Sequence, residues 1–307
     1  MKIVVHGQQA FGKAVLERLL EQKENVIAVC TAPDKEGRPL DPLKELAQEH
    51  NIPVHQPASW KTPEALELMQ SFDADICMMA YVLLFVPQPV LDAPRLGSFQ
   101  YHPSVLPMHR GPSSINWPIA MGSEKTGLTI FWPDEGLDEG PVLLQKHCDI
   151  GPDESLGDVY FNKLFPMGVD AMLESLQLVK DGKAPRIEQN LDEGSYESWF
   201  GKDQAKIDWS KSAADIYNTI RAANPQPSAW CQHGDATLKI FDSEKLDSCP
   251  ANSKGPGSVV EVSSDSVVVA TGDGGAIRVK RVRADAGKVG AGEYAATSGL
   301  AVGDMLA

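Results

Sequence analysis

The residues best suited to chemistry stand at the end of one strand-like run and in the loop behind it. Gln100 and His102 are two apart in Gln100-Tyr101-His102-Pro103-Ser104-Val105-Leu106-Pro107-Met108-His109-Arg110-Gly111. In a β-strand, residues i and i+2 share a face, so an amide and an imidazole point the same way. Pro103 and Pro107 stop the strand, since proline cannot donate to a ladder, and they fix a loop at its end. The next cluster holds four carboxylates, Asp134, Glu135, Asp138 and Glu139, in the eight residues from Pro133 to Gly140. Gly136 and Gly140 permit a tight bend. Asp134, Glu135 and Glu139 read as a solvated turn. Asp138 differs, because it follows Leu137 and lies just before an apolar strand, which directs it inward. A carboxylate beside His102 would orient the ring and take or give a proton.

The elements that must position these groups follow from the apolar pattern. Residues 2–6 and 26–31 are β-branched apolar runs, and 75–80, 97–101, 127–132 and 141–147 read as further strands. Phe11, Val15 and Leu19 fall at i, i+4 and i+8, so 11–22 is an amphipathic helix. Helical stretches are expected near 42–50, 156–181 and 211–222. Strand and helix alternate through the first half, which implies an α/β fold with a doubly wound, mostly parallel sheet. Such sheets bind ligands at the carboxyl ends of their strands, where the 100–111 segment begins its loop. Residues 183–206 are polar and read as a linker. Short runs at 237–241, 258–262, 265–270 and 276–281 then suggest a small all-β, OB-like barrel of five strands. The expected domains are 1–203 and 204–307.

The first βα turn, Gly7-Gln8-Gln9-Ala10-Phe11-Gly12, has two glycines five apart and lacks the middle glycine of a dinucleotide fingerprint. Rossmann-like topology therefore does not imply NAD(P) here. The chain has 307 residues, 28 Lys+Arg and 42 Asp+Glu, for a net charge of −14. Residues 1–200 hold 16 basic and 29 acidic side chains, and residues 201–307 hold 12 and 13. That balance opposes nucleic acid as a partner, which needs clustered Lys and Arg. The best basic cluster, Lys280-Arg281-Val282-Arg283, reads as a solvated strand face. The longest apolar run, Ile76 to Val86, is shorter than the roughly 20 residues of a membrane span. With no secretory leader pattern, a cytoplasmic protein with no membrane partner is expected. Five widely spaced cysteines with no CxxC pair predict neither a disulfide framework nor structural zinc.

Two segments together resemble the family that takes formyl groups from 10-formyltetrahydrofolate. The family's loop, Asn-x-His-x-Ser-Leu-Leu-Pro-x-x-Arg-Gly, is similar to Gln100 through Gly111, and its Gly-Leu-Asp-Thr-Gly is similar to Gly136-Leu137-Asp138-Glu139-Gly140. Lys206-Ile207-Asp208-Trp209-Ser210 and Ile220-Arg221-Ala222-Ala223-Asn224-Pro225 also match. The branch most resembled is the N-terminal hydrolase domain of 10-formyltetrahydrofolate dehydrogenase, through Tyr101-His102-Pro103-Ser104, His109-Arg110-Gly111, Ile115-Asn116-Trp117 and Phe131-Trp132. Methionyl-tRNA formyltransferase is the more distant branch. It typically carries a basic insertion after the second strand, whereas Ala32 to Asp41 is short and net acidic here.

The resemblance implies a folate donor, 10-formyltetrahydrofolate, with tetrahydrofolate as product and no metal or NAD(P). It assigns His102 and Gln100 to the developing oxyanion and Asp138 to orienting His102 and relaying a proton. Gln100 departs from both branches, since the transferases carry Asn there and the hydrolase domain an apolar residue. The pterin is expected beside Tyr81, Leu83, Leu84, Phe85 and Val86, read mainly by backbone groups, with Ser104, Val105, Leu106 and Pro107 as the neighbouring wall. Water is the expected acceptor. The alternatives are an amine acceptor, such as methionyl-tRNA or an amino sugar, and a folate-binding module with weak catalysis.

Overall fold

The computed structural model describes residues 1–250, 253–284 and 287–307. Two compact units emerge. The first comprises Met1–Ser114, Gly127–Cys148 and Phe161–Tyr196; the second comprises Ile115–Thr126, Asp149–Tyr160 and Glu197–Ala307.

The chain begins β1 (Lys2–Gly7), α1 (Gln9–Glu21), β2 (Asn25–Cys30), α2 (Pro42–Glu49), β3 (Val54–His55), α3 (Pro63–Ser71), β4 (Ile76–Ala80), α4 (Gln88–Leu91), β5 (Ser98–His102), α5 (Asn116–Ala120), β6 (Lys125–Phe131) and β7 (Val142–Asp149). One seven-stranded sheet runs β3-β2-β1-β4-β5-β6-β7. β1 pairs parallel with β2 and β4, and β4 pairs parallel with β5. β6 turns antiparallel on β5, so the sheet is mostly parallel, as expected. Phe11, Val15 and Leu19 are all buried on α1. The Phe11 ring stacks on Tyr101 of β5 with centroids 4.3 Å apart and meets Phe165 edge-on. A second apolar cluster gathers Val4, Cys30, Trp60, Met69, Cys77, Met79 and Val90.

Local start signals explain the helices. Asp41 caps α2 through Leu43 N (2.9 Å), with Pro42 at the first turn. The same carboxylate accepts from Gln9 N at 2.8 Å, so the first amide of α1 faces a negative group. Thr62 and Pro63 start α3 in the same manner. The sequence reading missed α3 because only Ala65 and Met69 of its nine residues are buried. The helix expected over 156–181 is interrupted. It comprises α6 (Leu156–Val159), a π-turn (Tyr160–Leu164) and α7 (Phe165–Lys180). Pro166 lies in the first turn of α7, where its missing N–H breaks the regular ladder.

The second unit carries α8 (Ala213–Ala222), β8 (Ala229–His233), β9 (Ala236–Ile240), β10 (Ser243–Leu246), β11 (Val259–Val262), β12 (Val267–Ala270), β13 (Ala276–Val279), β14 (Arg281–Ala284), β15 (Gly287–Gly290) and α9 (Ala291–Ser298). Two four-stranded sheets form, β10-β13-β12-β11 and β15-β14-β9-β8. Among its described residues this unit thus contains eight strands, not five. The four strands beyond the runs named above, AWCQH, SEKL, RVRA and GKVG, are short and carry no β-branched run to mark them. The unit also draws on earlier segments. Asn116 Nδ2 donates to Ala222 O at 2.8 Å, and Arg221 Nη1 donates to Gly151 O and Glu154 O.

The stretch read as a linker is only partly one. Ile187 exchanges both backbone hydrogen bonds with Val142, and Tyr196 bridges Arg110, so this segment up to Tyr196 packs within the first unit. Burial raises the thiols of Cys77 and Cys231 to about 12 and that of Cys30 well up, which makes them poor nucleophiles. No helix of the described residues is long and apolar enough to cross a membrane.

Candidate active site

β5 delivers its last residue, His102, to the carboxyl edge of the sheet. Phe99 and Tyr101 enter aromatic contacts with Trp132 and Phe11, and pleating sends Ser98, Gln100 and His102 to the opposite face. His102 is buried. Gln100 is half-buried and hydrogen-bonds no described residue through its side chain, so its amide is available.

The loop that follows is fixed by its own polar groups. Thr129 Oγ1, on β6, donates to Ser104 O (2.8 Å) and accepts from Leu106 N (3.0 Å). Gln145 Nε2, on β7, reaches Leu106 O at 2.7 Å. Ser104 Oγ donates to Met108 O at 2.7 Å. These bonds carry His109 O to within 2.9 Å of His102 Nε2. A carbonyl only accepts, so Nε2 carries the proton and Nδ1 is the nitrogen left for exchange.

Nδ1 faces Asp138. Its Oδ2 lies 3.6 Å away and both side chains are largely buried. That exceeds a hydrogen bond, but catalytic contacts in ligand-free enzymes commonly tighten only in the complex. Asp138 is held at φ 57, a left-handed conformation that aspartate tolerates better than most side chains. Oδ2 also accepts from Gly111 N at 2.8 Å. Gln189 Nε2 donates to the carbonyls of Asp138 (3.0 Å) and Gly140 (2.7 Å). A Cβ at Gly140 would lie 1.9 Å from Trp132 O, so the end of this turn requires glycine. Leu137 points outward while Asp138 points in, the orientation read from the sequence.

The sequence missed three contributors. Glu139 is not a solvated turn residue, because Arg110 Nη1 binds its Oε1 at 2.5 Å. Gln189 and Ser195 lie in the stretch read as linker, and Ser195 Oγ accepts from His109 N at 2.9 Å. No local pattern marked them, since their partners are more than 45 residues away.

The expected pterin loop is divided. Tyr81, Leu83, Leu84 and Phe85 are exposed, with Leu83 60% and Phe85 57% accessible. Val86 is buried in the apolar cluster around Trp60, so its side chain faces the core and not a ligand. Ser104 and Leu106 are likewise buried, and Val105 and Pro107 are half-buried. Any contact from Ser104, Leu106 or Val86 to a ligand must therefore come through backbone. Among the described residues, no group of three or more His, Cys, Asp or Glu is placed to hold a metal.

Two further features belong to the second unit alone. A cleft of about 1180 Å³ is lined by Asp149, Asp153, Tyr217, Arg221, Glu244 and others, none of them a predicted site residue. One row of cross-strand partners reads Lys288, Arg283, Lys239, Trp230. Lys202 and Lys206 stand 5.0 and 5.5 Å from the Trp230 ring. Lys288, Arg283, Lys239 and Lys202 have no carboxylate partner among the described residues and Lys206 has Asp208 as an electrostatic neighbour, whereas Lys280 pairs with Glu244 and Arg281 with Asp242. Two of the three cations in the basic cluster read from the sequence are thus paired, and a different row is left mostly without ion pairs.

Residues 1–175 match the family model described as "Formyl transferase", and residues 200–298 match "Formyl transferase, C-terminal domain". The chain is 38% identical over 300 residues to cytosolic 10-formyltetrahydrofolate dehydrogenase of Xenopus tropicalis, covering 94% of this chain and 33% of that protein. It therefore spans about a third of the length of that relative. It is 35% identical over 278 residues to methionyl-tRNA formyltransferase of Clostridioides difficile (strain 630), covering 89% of each. In fold it is similar to HypX from Aquifex aeolicus in complex with tetrahydrofolic acid, with TM-score 0.69 and 18% identity, covering 98% of this chain and 48% of that one. On the matches across both halves, this chain belongs to the formyl transferase family.

Proposed function

We propose that the protein releases the formyl group of 10-formyltetrahydrofolate to water, giving tetrahydrofolate and formate. One observation carries this reading: a buried carboxylate, Asp138, faces the exchangeable nitrogen of a buried imidazole, His102, at the carboxyl edge of the sheet. Attack of water forms a C–O bond at the formyl carbon and puts charge on the formyl oxygen. The Gln100 amide, and His102 when Nδ1 is protonated, are the donors for that oxyanion. Asp138 takes one water proton and passes it to N10 as the C–N10 bond breaks; the other leaves as formic acid ionises. The backbone of residues 81–86 and 104–107 would hold the pterin. Residues 1–203 would carry this chemistry, 204–307 would supply the strands of the OB-like domain, and neither metal nor NAD(P) has a part. The protein would act in the cytoplasm. The deciding experiment follows labelled formyl carbon from 10-formyltetrahydrofolate: label in formate supports the reading, and label only in an added amine overturns it.

Gln100 bears on the acceptor. Gln100→Asn, one methylene shorter, is expected to keep the KM for the donor and change the ratio of formate to formylated amine several-fold. Identical ratios in product analysis would remove Gln100 from the reaction.

A second reading, transfer to methionyl-tRNA, has the mostly unpaired cationic row in its favour, since Lys and Arg beside an aromatic ring suit a phosphate backbone. The acidic balance of residues 1–200 opposes it. A gel shift with methionyl-tRNA at fixed salt separates them: binding that weakens steeply with salt favours transfer.

A further inference from the structure

Two loops meet at the proposed proton relay, and they meet twice. Gly111 N donates to Asp138 Oδ2 at 2.8 Å. The neighbouring residue on each loop repeats the contact, Arg110 Nη1 to Glu139 Oε1 at 2.5 Å. The contacts run in opposite chain directions, as two rungs between 110–111 and 138–139. The Gly111–Asp138 bond is buried, and the Arg110–Glu139 bond is half-buried, with the Arg110 side chain 14% exposed and that of Glu139 36%. The Arg110 end is tied down in turn, its backbone N donating to Ser195 O at 3.0 Å. Glu139 lies back over its own turn, where a Cβ at Gly136 would meet Oε2 at 2.5 Å.

Asp138 needs this support. A side-chain-bearing residue at positive φ is retained where its surroundings over-determine it. Gln189 fixes the carbonyls on either side of Glu139, but that bond does not reach across to the His102 loop. The Glu139–Arg110 bond does, one residue from the Asp138 carboxylate.

We propose that Glu139 is a positioning residue for formyl release, its bond to Arg110 holding the Asp138 carboxylate at His102 Nδ1. This rests on His102 and Asp138 being the proton relay. Glu139 acts through Asp138, so its loss impairs the chemical step and leaves donor binding intact. A misplacement of about 1 Å at a reacting group costs on the order of 100-fold in rate.

The test compares Glu139→Gln, which keeps an acceptor at the same reach, with Glu139→Thr, which removes the reach. Expected is kcat in the order wild type, Glu139→Gln, Glu139→Thr, the last down about 10- to 100-fold, with KM for 10-formyltetrahydrofolate within about twofold. Exchange of the Gly111 amide, followed by NMR, is expected to quicken in the same order. Wild-type kcat in Glu139→Thr overturns the proposal. So does a loss carried by KM, or a fall in kcat with Gly111 exchange unchanged. Should the wild type release no formyl group, the reading of function fails, and Gly111 exchange still decides: unchanged protection in Glu139→Thr overturns the positioning role, and faster exchange supports it.

Discussion

His102→Ala and Asp138→Ala are each expected to lower formyl release from 10-formyltetrahydrofolate by about 10³-fold, the range of a lost general acid–base. Both side chains are buried within one contact of each other, so the relay fails whichever partner is removed. The double variant is expected to lose little beyond either single one, because groups acting as a unit are not additive. The stability effects should differ. Asp138 accepts from Gly111 N, and its removal leaves that amide unpaired at a cost of about 1–3 kcal/mol. Asp138→Asn keeps an acceptor there and isolates the proton-transfer defect. Wild-type-like turnover in folded His102→Ala would sink the assignment. A wild type that binds tetrahydrofolate yet turns over no faster than these variants would point instead to a binding module.

The second large effect is on acid stability. His6 lies on β1 with its ring 4.7 Å from Trp60, and burial lowers its imidazole from 6.5 to about 3. The unfolded chain takes up this proton near pH 6.5 and the folded protein only near pH 3. Between those values the unfolded state binds more protons, so stability is fully present above about pH 6.5 and falls as pH drops. At 1.36 kcal/mol per pH unit the loss reaches about 3 kcal/mol at pH 4.5. His6→Leu removes the titration. Its urea midpoint is expected to change much less between pH 7 and 4.5 than that of the wild type, whatever its absolute stability. Equal slopes in the two proteins would show that His6 titrates normally in the fold.

What the sequence revealed was local. The spacing of Phe11, Val15 and Leu19 named the buried face of α1, and the i, i+2 relation of Gln100 and His102 named their common face. Even Asp138 was legible, because an apolar strand follows it. What stayed hidden depends on distant pairs. Glu139 carries a charge that looks solvated until Arg110 is folded against it, 29 residues away in the chain. Gln189 and Ser195 sit in a polar stretch without periodicity, and its docking shows in long-range contacts such as the Val142–Ile187 exchange. Val86 looked like its exposed neighbours because hydrophobicity alone does not say which way a loop residue turns.

The chain passes between its two units five times. That weaving has a consequence for how the polypeptide can be divided. Asn116 is anchored to Ala222, and Gly157 N to Asn224 O, so the second unit owns residues on both sides of any break near residue 200. A protease that nicks there would yield two fragments that stay together, since each still supplies part of one hydrogen-bonded body. Heredity meets the same constraint. A recombination joint at that point would not transplant a finished module, because the incoming tail would need the 115–126 and 149–160 segments of its new host to complete it.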